Sequence, residues 1–122
     1  LPPCLYGYQF CIKNNKLHCV MSQRSSDVCV AGAWNVTTGS LLTIMMAHAL
    51  KVDPGTLTWN IGDLHVYKNH VENARLLVKL TPSVYPKLFL INPPDDITKF
   101  TMDNIKIVNY KPLKCTRFVM NA

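Results

Sequence analysis

Residues 36–50 read Val-Thr-Thr-Gly-Ser-Leu-Leu-Thr-Ile-Met-Met-Ala-His-Ala-Leu, and from Leu41 onward only Thr43 and His48 interrupt the apolar side chains. Leu, Met and Ala are good helix formers, and a helix built this way has no polar face. It is therefore a buried helix, and the rest of the chain has to wrap it. Asn35 or Thr37 stands near its N-terminus, where Thr37-Thr38-Gly39 make the first turn weak. Val52-Asp53-Pro54-Gly55 carries the turn chemistry expected to end it.

The flanking segments supply a sheet. Residues 5–12 alternate as a strand, with Tyr6, Tyr8, Phe10 and Ile12 on one face. Lys13-Asn14-Asn15-Lys16 reads as a turn because Asn tolerates positive φ, and residues 17–23 return as the second strand of a hairpin. Residues 56–61 form another strand, which Gly62-Asp63 interrupts. Residues 64–67 continue extended, placing His65 and Tyr67 on one face. Residues 69–80 are expected to be a helix with an apolar stripe at Val71, Ala74, Leu77 and Val78, stopped by Thr81-Pro82. Residues 87–91 and 105–110 are short strands around a loop at Asn92-Pro93-Pro94-Asp95-Asp96, and residues 118–122 are a tail. Helices and strands over one core indicate a single α+β domain over residues 1–122, a sheet packed on a buried central helix.

Composition narrows the class. Apolar residues make up 48% of the 122 and charged residues 16%, the balance of a globular chain with a modest core. No uninterrupted apolar run reaches the ~20 residues that span a bilayer, so no membrane partner is expected. The formal charge of +6 suits anionic partners. Its lysines are scattered, which makes RNA binding a weak expectation. Cys4, Cys11, Cys19, Cys29 and Cys115 lack Cys-x-x-Cys spacing. That argues for a reducing, cytoplasmic setting without structural zinc. Asn35-Val36-Thr37 matches a glycosylation sequon, a coincidence in such a compartment.

The chemistry-bearing stretch is Ser22-Gln23-Arg24-Ser25-Ser26-Asp27. Arg24 is the lone arginine before Arg75 and stands among small hydroxyls with a carboxylate three residues on. A planar fork of donors beside Ser25 and Ser26 suits an oxyanion. The hairpin brings Arg24, beyond the end of the second strand, back beside Cys4 at the start of the first. A cation there would stabilise a thiolate. Taken alone, each residue has a plainer reading: an exposed Arg on a polar turn, a packed Cys, an N-cap Asn35, a structural His65. As an ordered set they favour a site.

Pro2-Pro3-Cys4, Gln23-Arg24-Ser25-Ser26-Asp27, Asn35, the stretch Gly62-Asp63-Leu64-His65-Val66-Tyr67-Lys68-Asn69-His70 and Pro86-Lys87-Leu88 together resemble the thymidylate synthase family. The resemblance covers the whole chain and corresponds to the family's C-terminal half. It implies a large sheet stacked on helices and paired with its twin in a homodimer. It also implies conversion of dUMP to dTMP with 5,10-methylenetetrahydrofolate as carbon donor and reductant. By the same resemblance Cys4 is the nucleophile. Arg24 and Ser25 hold the phosphate, Gln23 is a further substrate-binding residue, and Asn35 reads uracil, where relatives acting on cytosine nucleotides carry Asp. His65 and Tyr67 hold the sugar hydroxyl. Asp27 serves the folate side and the waters around the base, and Ala122 lies where the C-terminus folds over the folate.

Several positions depart from the family pattern. Leu5 replaces a His, Ala31-Gly32-Ala33-Trp34 replaces a Gly-x-Pro-Phe loop, and Thr37-Thr38-Gly39 replaces Ala-Ser-Tyr. Leu113-Lys114 replaces His-Pro, and Arg117 replaces a Lys. These changes cluster on the folate side and around the cysteine. Two further readings follow: a pyrimidine nucleotide hydroxymethylase on the same scaffold, or a non-catalytic nucleotide- or RNA-binding remnant. Because Cys4 lies so near the start, and the family supplies further phosphate-binding arginines and an acid/base carboxylate from upstream, the chain is expected to act only with a complementary N-terminal half.

Overall fold

Asn14 and Asn15 hold φ of 52° and 57°, the left-handed pair that a tight two-residue hairpin turn requires. They join strand β1 (Leu5–Lys13) to strand β2 (Lys16–Asp27), antiparallel from Lys13 opposite Lys16 up to Leu5 opposite Gln23. In this computed structural model, residues 2–82, 84–113 and 117–120 are described. The hairpin is as the alternation predicts, with one difference: β2 does not end at Gln23. It continues through Arg24 to Asp27 because strand β3 (Asp53–His65) runs parallel along its other side and pairs Ser25 with Asp63 and Asp27 with His65. The polar Ser-rich run is thus a ladder segment with a partner, and Arg24 lies inside the strand.

β3 corrects two further expectations. Asp53-Pro54-Gly55 belong to the strand, and Gly62-Asp63 do not break it. With the order β1-β2-β3, β3 is an edge strand, where a proline's missing N–H costs no ladder bond. Gly62 lets the two strands close: a Cβ there would stand 2.9 Å from the carbonyl oxygen of Arg24.

Between β2 and β3 the chain forms a π turn (Val28–Gly32) that runs directly into helix α1 (Ala33–Ala49), two to three residues earlier than the sequence suggests. The Asp27 carboxylate caps this entry, Oδ1 accepting from the N–H of Cys29 at 3.0 Å and of Val30 at 3.4 Å. The helix ends in a Schellman motif: Lys51 takes φ of 57°, its N–H donates to His48 and the N–H of Val52 donates to Ala47.

One stripe of α1, at Gly39, Thr43 and Ala47, is fully buried. It faces the sheet, with Gly39 set against Met21 and Leu57. Thr43 is tolerated there because its hydroxyl donates to the Gly39 carbonyl at 2.7 Å. The centre of β2 completes the core through Leu17, Cys19 and Met21. The other faces of α1 are only partly covered by this chain, and Trp34 is 77% exposed. The continuous helical stretch Val28–Ala49 is 22 residues long and contains 18 residues of mean hydropathy 1.4, enough by length and composition alone to cross a bilayer. It is longer than any uninterrupted apolar run because Asn35, Thr37, Thr38, Ser40, Thr43 and His48 interrupt its apolar side chains. In this fold the stretch lies along the sheet.

The expected helix over 69–80 is shorter, a 3₁₀ turn (Lys68–His70) followed by α2 (Val71–Leu77). Its apolar stripe is not buried among the described residues; Val78, past the helix end, is 81% exposed. Strands β4 (Lys87–Leu90) and β5 (Ile105–Val108) pair antiparallel as a separate two-stranded sheet.

Candidate active site

The sheet end at Asp27 and His65, the π turn and the first turn of α1 enclose a cavity of about 380 Å³. Cys4, Leu5, Gln23, Arg24, Ser25, Ser26, Asp27, Val30, Ala31, Asn35, His65, Tyr67 and Met120 line it. Every site residue expected from the sequence is among them except Ala122, which lies outside the described residues. The hairpin accounts for Cys4 and Arg24, the βαβ crossover brings Asn35 into the same wall as Gln23 and Asp27, and the parallel pairing delivers His65.

Arg24 is the hinge of the arrangement. Its backbone N–H donates to the Cys4 carbonyl at 2.8 Å. Its guanidinium folds back onto the residues ahead of Cys4, Nη2 donating to Pro2 at 2.7 Å and Nε shared between Pro2 at 3.2 Å and Pro3 at 3.3 Å. The fork that the sequence assigned to an anion therefore also fixes the segment that carries the thiol, while Arg24 still lines the cavity. Cys4 itself is exposed and free.

Gln23 is 3% exposed, with its Oε1 accepting from the Trp59 indole at 2.9 Å. That bond orients the carboxamide and leaves its NH₂ for other partners. Asn35 Nδ2 and Ser26 Oγ are buried without a hydrogen-bond partner among the described residues. Two unsatisfied polar groups in one cavity wall mark a place where a ligand is expected to supply the missing bonds. His65 and Tyr67 meet edge to face with ring centroids 5.2 Å apart, and Asp63 Oδ2 stands 3.3 Å from His65 Nδ1.

Three features of the wall were not legible in the sequence. Met120 reaches the cavity because His70, 2% exposed, holds the tail by a 2.8 Å contact from Nε2 to the Val119 carbonyl, with Phe118 stacked edge-on at 5.3 Å. Trp59 acts through Gln23. Asp27 serves as helix cap as well as cavity wall, with Oδ2 lying 3.8 Å from His70 Nδ1. Its neighbour Cys29 has a thiol pushed up by burial and then by the Asp27 charge. A separate apolar groove of about 370 Å³, between Leu77, Leu80, Tyr85, Tyr110 and Leu113, holds no comparable cluster.

Against known proteins, the family described as thymidylate synthase matches residues 1–122. The chain belongs to the thymidylate synthase family. It is 36% identical over 120 residues to the thymidylate synthase of human herpesvirus 8 type P (isolate GK18), covering 98% of this chain and 36% of that protein. The thermostable thymidylate synthase A of Bacillus subtilis superposes with a TM-score of 0.92 at 31% identity, over 97% of this chain and 42% of that one. The α+β fold is thus the thymidylate synthase fold. The chain spans well under half the length of these two relatives.

Proposed function

We propose that this chain provides the nucleophile and the nucleotide-reading wall of a thymidylate synthase that converts dUMP to dTMP. One observation carries the reading: Cys4, Arg24, Ser25, Asn35, His65 and Tyr67, from four separate segments, face one cavity whose Asn35 amide lacks a partner. Uracil offers a carbonyl acceptor at position 4 beside an N–H donor at position 3, and a carboxamide complements both.

In this reading the Cys4 sulfur, as thiolate, bonds to carbon 6 of the pyrimidine. The carbon 5–carbon 6 π pair moves onto carbon 5 and the position 4 oxygen, where the Asn35 N–H meets the growing charge. Arg24 and Ser25 hold the phosphate, Gln23 packs beside the base, and His65 with Tyr67 hold the sugar hydroxyl. Methylenetetrahydrofolate, when bound, supplies the one-carbon unit and the hydride. Asp27 borders that side, with Oδ1 engaged by the helix cap and Oδ2 turned away from it. The remaining phosphate ligands, the acid/base carboxylate and a second subunit would come from outside these residues, in a cytoplasmic homodimer.

The test uses the full protein in which this chain occurs. With 5-fluoro-dUMP and methylenetetrahydrofolate it should form a stable adduct that peptide mapping places on Cys4. An adduct on any other cysteine would overturn the assignment. Leu5 and Ala31, two departures from the family pattern, line the cavity and favour one second reading, a hydroxymethylase in which water intercepts the one-carbon unit. Dihydrofolate as product means methylation, and tetrahydrofolate means hydroxymethylation. Nucleotide or RNA binding without any adduct would instead indicate a non-catalytic remnant.

A further inference from the structure

Beside the cavity wall at Asp27, three donor atoms from two segments converge: a carboxylate oxygen of Asp27, the Cys29 sulfur and a ring nitrogen of His70, all within 4.8 Å of one another. We propose that they form a site for a single borderline-soft divalent cation of the Zn²⁺ class.

The His70 ring supplies the decisive observation. Its Nε2 lies 2.8 Å from the Val119 carbonyl, which can only accept, so Nε2 carries the proton. In the neutral ring Nδ1 is then a bare lone pair. It is buried with no hydrogen-bond partner, on a side chain 2% exposed, and faces Asp27 Oδ2 at 3.8 Å. A cation shared between these two atoms, 3.8 Å apart, and the neighbouring thiol would satisfy both. A metal-bound histidine has this arrangement, one nitrogen on the ion and the other donating to a backbone carbonyl.

Preorganisation and donor chemistry agree. Asp27 Oδ1 accepts from the Cys29 N–H at 3.0 Å, which keeps the carboxylate and the thiol on one turn and leaves Oδ2 for the ion. One oxygen, one nitrogen and one sulfur suit Zn²⁺ with a fourth position open. Bond lengths of about 2.0 Å to O and N and 2.3 Å to S place tetrahedral donors roughly 3.3–3.6 Å apart, so closure from separations within 4.8 Å needs a contraction of at most about 1.5 Å. Binding would release the Cys29 thiol proton to solvent. Metal spacing rules could not find this set, because His70 is brought in by the fold.

The full protein, kept reduced, should bind one equivalent of Co²⁺ with a near-ultraviolet thiolate-to-metal band and the visible bands of a four-coordinate ion, both displaced by Zn²⁺. Cys29→Ser should abolish the thiolate band and weaken Zn²⁺ binding by about 10–100-fold or more. Absence of the band at saturating Co²⁺ would overturn the site, as would a band that survives Cys29→Ser but is lost with the exposed thiol of Cys4 or Cys11. Should Cys29→Ser not fold, Zn²⁺ should still protect Cys29 of the unaltered protein from alkylation, and chelator should reverse it. Alkylation of Cys29 unchanged by Zn²⁺ would refute the proposal equally.

Discussion

The Arg24 guanidinium reaches back over Cys4 to the Pro2 carbonyl, 2.7 Å from Nη2, while the Arg24 main chain holds the Cys4 carbonyl at 2.8 Å. One residue thereby couples the position of the thiol to the group proposed to grip the phosphate. Arg24→Lys keeps the charge and loses the fork. Hydrogen bonds to charged groups contribute about 1.5–3 kcal/mol, so adduct formation with 5-fluoro-dUMP should slow by roughly 10- to 150-fold. An unchanged trapping rate in Arg24→Lys would show that the fork is dispensable.

Gly62→Ala should act on the same point from the other strand. The new Cβ would meet the Arg24 carbonyl at 2.9 Å, and a backbone atom cannot swing aside. Overpacking of this kind costs about 1–3 kcal/mol, which urea unfolding would read directly. Gly7→Ala, with nothing within 4 Å of its Cβ, is the matched control and should be near neutral.

The Asn35 amide supplies a specificity test. Asn35→Asp replaces its N–H donor by oxygen, so dUMP turnover should fall and the relative use of dCMP should rise. Mismatched buried polar groups cost about 1–3 kcal/mol, a preference shift of roughly 5- to 150-fold. Competition between labelled dUMP and dCMP measures it, and an unaltered ratio would place the base reading elsewhere.

How far the sequence led can be followed residue by residue. Asn14 and Asn15 announced their turn because positive φ is a local property, and the alternation of Tyr6, Tyr8, Phe10 and Ile12 announced the first strand and, through the turn, its return partner. The site was legible as a motif because its members share a few short segments in fixed order. What failed was non-local. Nothing in Ser25, Ser26 and Asp27 says strand until β3 lies beside them. Pro54 reads as a breaker until the strand is seen to be an edge. His70 carried no assignment, since its burial depends on a tail 49 residues away.

Trp59→Phe isolates a supporting contact. It removes the only described hydrogen bond to Gln23 Oε1 and leaves a buried acceptor unpaired. Stability should fall by about 1–3 kcal/mol, and the freed carboxamide should weaken nucleotide binding as well. Calorimetry of dUMP binding beside thermal unfolding separates the two effects. Loss of stability with nucleotide affinity intact would confine Gln23 to the core.

Helix α1 sets the last expectation. Only Gly39, Thr43 and Ala47 of its residues are fully buried, while Trp34 and Val36 are 77% and 38% exposed, with Leu50 beyond its end at 47%. Apolar surface left in water forgoes about 25 cal/mol per Å², so such a helix needs more cover than these residues give it. We expect the missing cover to be further polypeptide of the same protein. Expressed alone, the 122 residues should bind a hydrophobic dye, self-associate and release no tritium from carbon 5 of labelled dUMP. Co-expression with the complementary segment should remove the dye binding and restore tritium release. A monodisperse, dye-silent and active preparation of these residues alone would show that α1 needs no other cover.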